Sequence, residues 1–397
     1  MTKGALDGVK IVDLSRMAPG PFCSMMLGDM GADVIKVEAP PTSRIIASKI
    51  INDAETRKKA ASNPLNRNKR SIVLDLKEKD GIKILHQLCQ KADVFIEGFR
   101  PEVVTRLGCN YETIKEINPS IIYCSISGYG QTGPYKDLVG HDVNYISVGG
   151  ALGLIGSKNG TPSIPYNLIA DFAAGGMNAA YSIVCALFSR TNTGRGQKID
   201  TSMSDGVTYL LSAIPGEYFN SGLIPKPGQM TLNGGVPYYN VFECQDGKYI
   251  SLGCIEPNFW KNLCSTLNLE QFASSQHNEH EYQLIMRELE ATFKTKKRDE
   301  WWDIFREAED VAAAPVYEFN EVLDDPHMKA RNMFIEAGSV DGAVITQVGF
   351  GSKLTDTPGA VRNLGTIPGA HSENILREIG YSADEIKKMV DSEVVFT

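Results

Sequence analysis

None of the eight cysteines, at positions 23, 89, 109, 124, 185, 244, 254 and 264, stands in a Cys-x-x-Cys pair. That removes the usual zinc-ribbon and thiol-redox signatures, and without disulfide-like spacing the thiols read as small buried hydrophobes in a reducing compartment. No run approaches eighteen apolar residues, and Met1 to Asp7 carries no apolar core of a signal peptide, so neither a membrane span nor secretion is expected. Ser15-Arg16-Met17-Ala18-Pro19-Gly20-Pro21 follows the first strand where a Gly-x-Gly-x-x-Gly turn would sit, and no Gly-Lys-Ser/Thr phosphate loop occurs. A nicotinamide dehydrogenase is thereby disfavoured. Gly-x-Ser-x-Gly is missing too, which removes the common serine hydrolase signal. His277-Asn278-Glu279-His280-Glu281 lacks the His-Glu-x-x-His spacing that puts two imidazoles on one helix face, and reads as a solvated loop. Val395-Phe396-Thr397 is no Ser-Lys-Leu-type address; a cytoplasmic location is the expectation, with peroxisomal or mitochondrial import left open.

What is present is ordinary for a globular enzyme: 42% hydrophobic and 22% charged residues, with no low-complexity tail. At 397 residues the chain exceeds one hydrophobic core and implies two domains. The net charge of −8 argues against a general nucleic-acid surface but allows one local basic pocket. Lys58, Lys59, Arg67, Lys69 and Arg70 cluster there, and Arg100 follows another strand. Lys58-Lys59 is equally well a solvated face. Asn66 to Arg70, directly before the strand Ser71 to Leu74, reads as phosphate binding.

Short apolar runs alternate with helical patterns through the first half: Val9 to Leu14, a helix from Pro21 to Gly31, Asp33 to Val37, Ser71 to Asp75, a helix from Gly81 to Lys91, Val94 to Ile96 and Ile121 to Ile126. This alternation indicates an α/β fold with a parallel sheet covered by helices. Ligands of such sheets sit at the carboxyl ends of strands, which places substrate near Ser127-Gly128-Tyr129-Gly130-Gln131. The expected division is a large domain over 1–215, a Pro- and Gly-rich linker over 216–235, a small α+β domain over 236–325, and a return to the large domain over 326–397. The small domain opens on a hairpin, Tyr238 to Cys244 and Lys248 to Leu252, marked by Asp246-Gly247.

Three ionisable residues stand out: His141 in Gly140-His141-Asp142, Asp171 before an Ala- and Gly-rich helix running to Arg190, and Glu256 in Ile255-Glu256-Pro257. A His and a carboxylate are the pair that moves a proton on and off carbon near neutral pH without a metal or redox cofactor. Asp142 could orient or charge-stabilise His141. A carboxylate at a helix start is as readily a cap as a catalyst, and the two roles are compatible.

Leu6 to Ser15, Gly31 to Glu38, Asn66 to Leu76, Gly98-Phe99-Arg100-Pro101, Ser127 to Gln131, Gly194-Arg195-Gly196-Gln197, Asp325-Pro326-His327 and Pro368 to Ser372 resemble, in order, the family III CoA-transferases (CaiB/BaiF-like). The resemblance implies acyl-CoA substrates, a Rossmann-like large domain built from both chain ends, a small inserted domain and an interlocked homodimer. Transferases of the family use the aspartate matching Asp171 as nucleophile, whereas its α-methylacyl-CoA racemase branch uses it as acid/base. Gly140 to Tyr145, Val236 to Tyr239 and Ile255 to Phe259 are similar to the racemase branch. On that footing His141, paired with Glu256, exchanges the α-proton with Asp171 on the opposite face, and backbone N–H groups near Asp171 hold the enolate oxygen, with Asp142 supporting the loop. Arg16, Lys36, Arg67, Lys69, Arg70 and Arg100, with Gly128, Tyr129 and Gly130, are the expected contacts to CoA and its acyl thioester. The alternative is a CoA-transferase acting through an aspartyl-CoA thioester.

Overall fold

Residues 3–40 and 53–396 are described by the structure, a computed structural model. Met1, Thr2 and Thr397, on which part of the reading of the termini rests, lie outside them. Two compact units result. The first takes its residues from 1–149, 166–210 and 326–397, the second from 150–165 and 211–325.

Six parallel strands build the first unit: β1 (Lys10–Asp13), β2 (Asp33–Glu38), β3 (Lys69–Leu74), β4 (Val94–Glu97), β5 (Ile122–Ser127) and β6 (Lys198–Ser202). They stand in the order 3-2-1-4-5-6, and the final strand Val395–Phe396 pairs antiparallel with β3 at the sheet's edge. Consecutive residues face opposite sides, and both sides are apolar. Val12, Phe95 and Tyr123 join one core with Ile84, Leu85 and Leu88, while Ile11, Val94, Ile96 and Ile122 join another with Leu27, Ala179 and Ile183. Such unbroken apolar strands are what helices on both faces require. The helix Lys79–Gln90 docks by Ile84, Leu85 and Leu88, each worth about 1.5–3 kcal/mol on full burial.

Helix Leu168–Met177 continues without a break into Asn178–Thr193, which ends on Gly194 in the left-handed region at φ 67°. Among the described residues this span has the length and apolar character of a membrane crossing, yet Ala179, Ala180, Ile183 and Ala186 pack into the sheet's core. Its first ten residues adopt π-helical geometry, a rare form that concentrates at functional sites. The packing there is close. A Cβ on Gly206, in the neighbouring helix Met203–Leu210, would stand 2.7 Å from the Ala174 carbonyl oxygen.

The second unit carries an antiparallel sheet of Tyr239–Glu243, Tyr249–Gly253 and Ala313–Val316. Helices Pro257–Thr266, Tyr282–Phe293 and Arg298–Glu307 surround a core of Phe242, Trp260, Phe293, Trp301 and Phe305. The segment 216–235, expected as linker, lies inside this unit and includes most of the helix Ala213–Ser221. Seven cysteines are buried, in line with their reading as small hydrophobes; Cys185 is exposed.

Candidate active site

Strand order in the first unit reverses between β1 and β4, since the chain runs β1-β2-β3 to one side and β4-β5-β6 to the other. Open α/β sheets bind ligands at the carboxyl edge of such a switch point. Arg16 leaves β1 at that edge and Arg100 leaves β4, both exposed, with the Arg16 guanidinium 5.4 Å from the centre of the Phe99 ring. Arg100 opens the helix Pro101–Arg106.

Beyond β5 the loop through Gly128, Tyr129 and Gly130 folds against Tyr145. A Cβ on Gly128 would meet the Tyr145 ring at 2.3 Å, so glycine is required there. Tyr145 donates to the Gly140 carbonyl at 2.5 Å and packs edge-on to Tyr129 at 5.1 Å between ring centres. Burial pushes the Tyr145 phenol up to about 12, helped by Tyr129 and Asp171 and opposed by Arg100. That influence brings Arg100 within electrostatic reach of the loop.

His141 is exposed and immediately precedes the helix Asp142–Val148; its backbone N–H donates to Asn144 Oδ1 at 3.0 Å. Asp142 turns inward. Only 5% exposed, its Oδ2 accepts from the N–H groups of Ala170 and Asp171 at 2.7 and 2.9 Å. These are early N–H groups of the helix that begins at Leu168, which have no intrahelical partner. Asp142 thus directs its carboxylate to the backbone that carries Asp171, occupying the N–H groups of Ala170 and Asp171. The helix also starts three residues before Asp171, so Asp171 is not its cap.

The Asp171 carboxyl, half-buried, accepts from Asn167 Nδ2 at 3.0 Å. Burial raises it from the usual carboxylate range; the Asn167 bond opposes this, Asp142 adds to it, and His141 opposes it. Glu256 lies in the second unit, exposed, directly before the helix Pro257–Thr266. The preceding loop is held by Gln276, a buried residue the sequence reading passed over, whose Nε2 donates to the carbonyls of Cys254 and Ile255 at 3.1 and 2.7 Å.

The basic cluster is engaged within the fold. Arg67 is 2% exposed and grips Asp29 with both prongs of its fork, at 2.9 and 2.6 Å, while donating to the Val348 carbonyl at 2.6 Å. Lys69, also 2% exposed, donates to the Pro21 carbonyl at 2.9 Å and lies 3.6 Å from Asp13; burial draws its ammonium down to about 8 against the pull of Asp13. Arg70 is divided between Asp33 and Glu378, and Lys36 between Glu38 and Asn66. These four cations knit the fold. Arg16 and Arg100 remain as the exposed ones facing the switch point.

With this geometry in view, the comparisons are specific. The profile of CoA-transferase family III matches residues 6–372. Alpha-methylacyl-CoA racemase of Homo sapiens is 36% identical over 394 residues, covering 98% of this chain and 97% of that protein. Succinate–glutarate CoA-transferase of Agrobacterium fabrum is 31% identical over 95% and 96%. Among solved structures, a CaiB/BaiF family protein from Brucella suis superposes with a TM-score of 0.79 at 28% identity, covering 96% of this chain and all of that one. The protein belongs to CoA-transferase family III. It is an enzyme of that superfamily, with the acyl-CoA chemistry the family shares.

Proposed function

We propose that the protein is an α-methylacyl-CoA racemase, interconverting the (R) and (S) thioesters by removing and returning the α-proton through an enolate. The observation that carries this reading is the link, through Asp142, between the segments that bear its two proton carriers. His141 and Asp142 are adjacent, and Asp142 is bonded to the backbone of Asp171, so an imidazole and a carboxyl raised by burial belong to one braced assembly. An acid that must carry a proton near neutral pH needs such a setting. The similarity to the human racemase supports the same choice.

His141 takes the proton from one enantiomer; Asp171 delivers one to the other face, and the roles exchange in reverse. Arg16 and Arg100 meet the CoA phosphates, and Gly128, Tyr129 and Gly130 line the approach of the thioester. Charge-assisted contacts to phosphate anchor the carrier, and that remote binding energy positions the α-carbon. The reading calls for no metal or redox cofactor. A second copy of the chain completes it as a homodimer: on the helix Asn178–Thr193, Tyr181, Val184 and Phe188 form an apolar stripe at helical spacing, exposed by 68, 43 and 71%.

Similarity to the Agrobacterium transferase favours a second reading, in which Asp171 attacks the thioester and carries CoA to an acid acceptor. One experiment separates them. One enantiomer of a 2-methylacyl-CoA is incubated in heavy water without any carboxylic acid, and α-deuterium and chirality are followed. Deuterium uptake with loss of optical purity is expected. No exchange, followed by CoA transfer once an acid is added and a hydroxylamine-sensitive enzyme–CoA intermediate, would establish the transferase.

A further inference from the structure

We propose that Asp13 and Glu97, the buried carboxylates that end β1 and β4, are positioning residues for Arg16 and Arg100, holding the two exposed cations of the switch point in place for an anionic ligand. This deepens the reading of those arginines as contacts to the CoA phosphates, and it rests on that reading.

The same arrangement occurs twice. β1 and β4 are the neighbouring strands at which the order of the sheet reverses. Each closes on a carboxylate, Asp13 and Glu97, exposed by 0 and 1%. Each carboxylate accepts the backbone N–H two residues further on, that of Ser15 at Asp13 Oδ1 and that of Phe99 at Glu97 Oε2, both at 2.8 Å. In both loops the residue after that N–H is the arginine. A carboxylate holds an N–H more strongly than a neutral acceptor does, so each loop leaves its strand along one path.

The connection that carries Arg16 is held on both sides. Ser15 also donates its hydroxyl to Asp13 Oδ1 at 2.5 Å, and a Cβ on Gly20 would stand 2.2 Å from that hydroxyl oxygen, so Ser15 is packed against the start of the helix Pro19–Asp29. From that helix Ser24 Oγ donates to Asp13 Oδ2 at 2.5 Å, while Lys69 Nζ donates to the Pro21 carbonyl at 2.9 Å and lies 3.6 Å from Asp13. Asp13 therefore ties strand, loop and helix around Arg16. On β4, Arg100 stands between the held Phe99 N–H and Pro101, which confines the residue before it to extended backbone; its φ is −65° and its ψ 149°. The loops also meet, because the Arg16 guanidinium lies over the Phe99 ring, and through Phe99 the Glu97 carboxyl bears on both arginines. Side chains rooted in this way lose less freedom on meeting a phosphate, and preorganisation of that kind strengthens binding.

The test is the affinity of free CoA, measured by calorimetry on the full chain. Glu97→Met, with similar reach and no acceptor, should weaken binding by about tenfold, the order of one hydrogen bond to a charged group, whereas Glu97→Gln, which keeps an acceptor, should stay within about threefold. Asp13→Asn, with one acceptor oxygen turned into a donor, should also weaken it. Coupling tells positioning from general loosening. The Asp13→Asn loss should vanish in Arg16→Gln and persist in Arg100→Gln, and the Glu97→Met loss should shrink in Arg100→Gln. Equal losses in every background, or parental affinity in folded Glu97→Met and Asp13→Asn, would overturn the proposal and leave both carboxylates as loop caps. The two arms are independent, so one variant that fails to fold leaves the other to decide. Arg16→Gln and Arg100→Gln that each bind CoA like the parent would refute the contact reading, and this proposal with it. Binding needs no turnover, so failure of the racemase reading leaves the result untouched. Where α-proton exchange is active, the loss in Glu97→Met should appear in KM, and a fall in kcat alone would count against positioning.

Discussion

Replacing Arg67 by Met separates the two roles this residue has been given, phosphate anchor or internal tie. Met has similar reach and no charge, so the variant leaves Asp29 as a 4% exposed carboxyl with, among the described residues, only Asn68 Nδ2, at 2.8 Å, donating to it. Arg67 supplies two charge-assisted bonds to Asp29 and one to the Val348 carbonyl. Removing one partner of a buried pair costs about 3–5 kcal/mol, because the other charge is stranded out of water. At about 2–4 °C per kcal/mol for a unit of this size, melting should fall by roughly 6–20 °C. Burial already raises the Asp29 carboxyl, with Arg67 and Asn68 holding it back. Without Arg67 it rises further, so the variant's deficit should shrink as pH falls and the neutral carboxyl forms. The assay is thermal and urea unfolding against pH, with CoA affinity measured calorimetrically below the transition. A variant that melts like the parent but no longer binds CoA would refute the burial argument and restore the phosphate reading.

Three further outcomes are expected. His141→Ala and Asp171→Asn should each lower α-proton exchange by about 10²–10⁴-fold while leaving acyl-CoA binding intact, checked by deuterium uptake and calorimetry; near-parental turnover would remove that residue from the chemistry. Glu97, 1% exposed, has its carboxyl raised by burial to about 7 against bonds from Ser125 and the Phe99 N–H. The folded state holds the proton more tightly than the unfolded chain does, so stability should decline as pH rises from about 4.5 towards 7, a slope that Glu97→Gln should abolish in urea titrations. Gly206→Ala should destabilise by about 1–3 kcal/mol through its contact with the Ala174 carbonyl, seen as a lower urea midpoint.

Elements set by local pattern were legible beforehand. The helix read at Gly81 to Lys91 forms at Lys79–Gln90, because its buried residues recur on one face. Asp246-Gly247 marks a hairpin that the antiparallel pairing of Tyr239–Glu243 with Tyr249–Gly253 fulfils. Features made by distant partners were not. Asn66 to Arg70 looks like a phosphate-binding run in sequence, and nothing local reveals that Asp29, 38 residues earlier, neutralises Arg67. The helix start at Leu168 was misplaced for a related reason: its N–H groups are satisfied by Asp142, from another helix, rather than by a preceding Ser or Asp. For the site, adjacency and family likeness singled out His141, Asp142 and Asp171. The direction in which Asp142 points belongs to tertiary packing.

The pairing of Phe396 with Val73 at the edge of the large sheet sets a schedule for the growing chain. These partners are 323 residues apart, and at about 5–20 residues per second the second follows the first by roughly 16–65 s. His371, which accepts the Ser71 N–H at 3.1 Å, arrives almost as late. Until Val395–Phe396 is in place the outer edge of β3 lacks that partner, and an unpaired strand edge is open to pairing with another chain. Closure of this edge therefore waits on a segment 323 residues downstream, however much of the rest of the sheet has already formed.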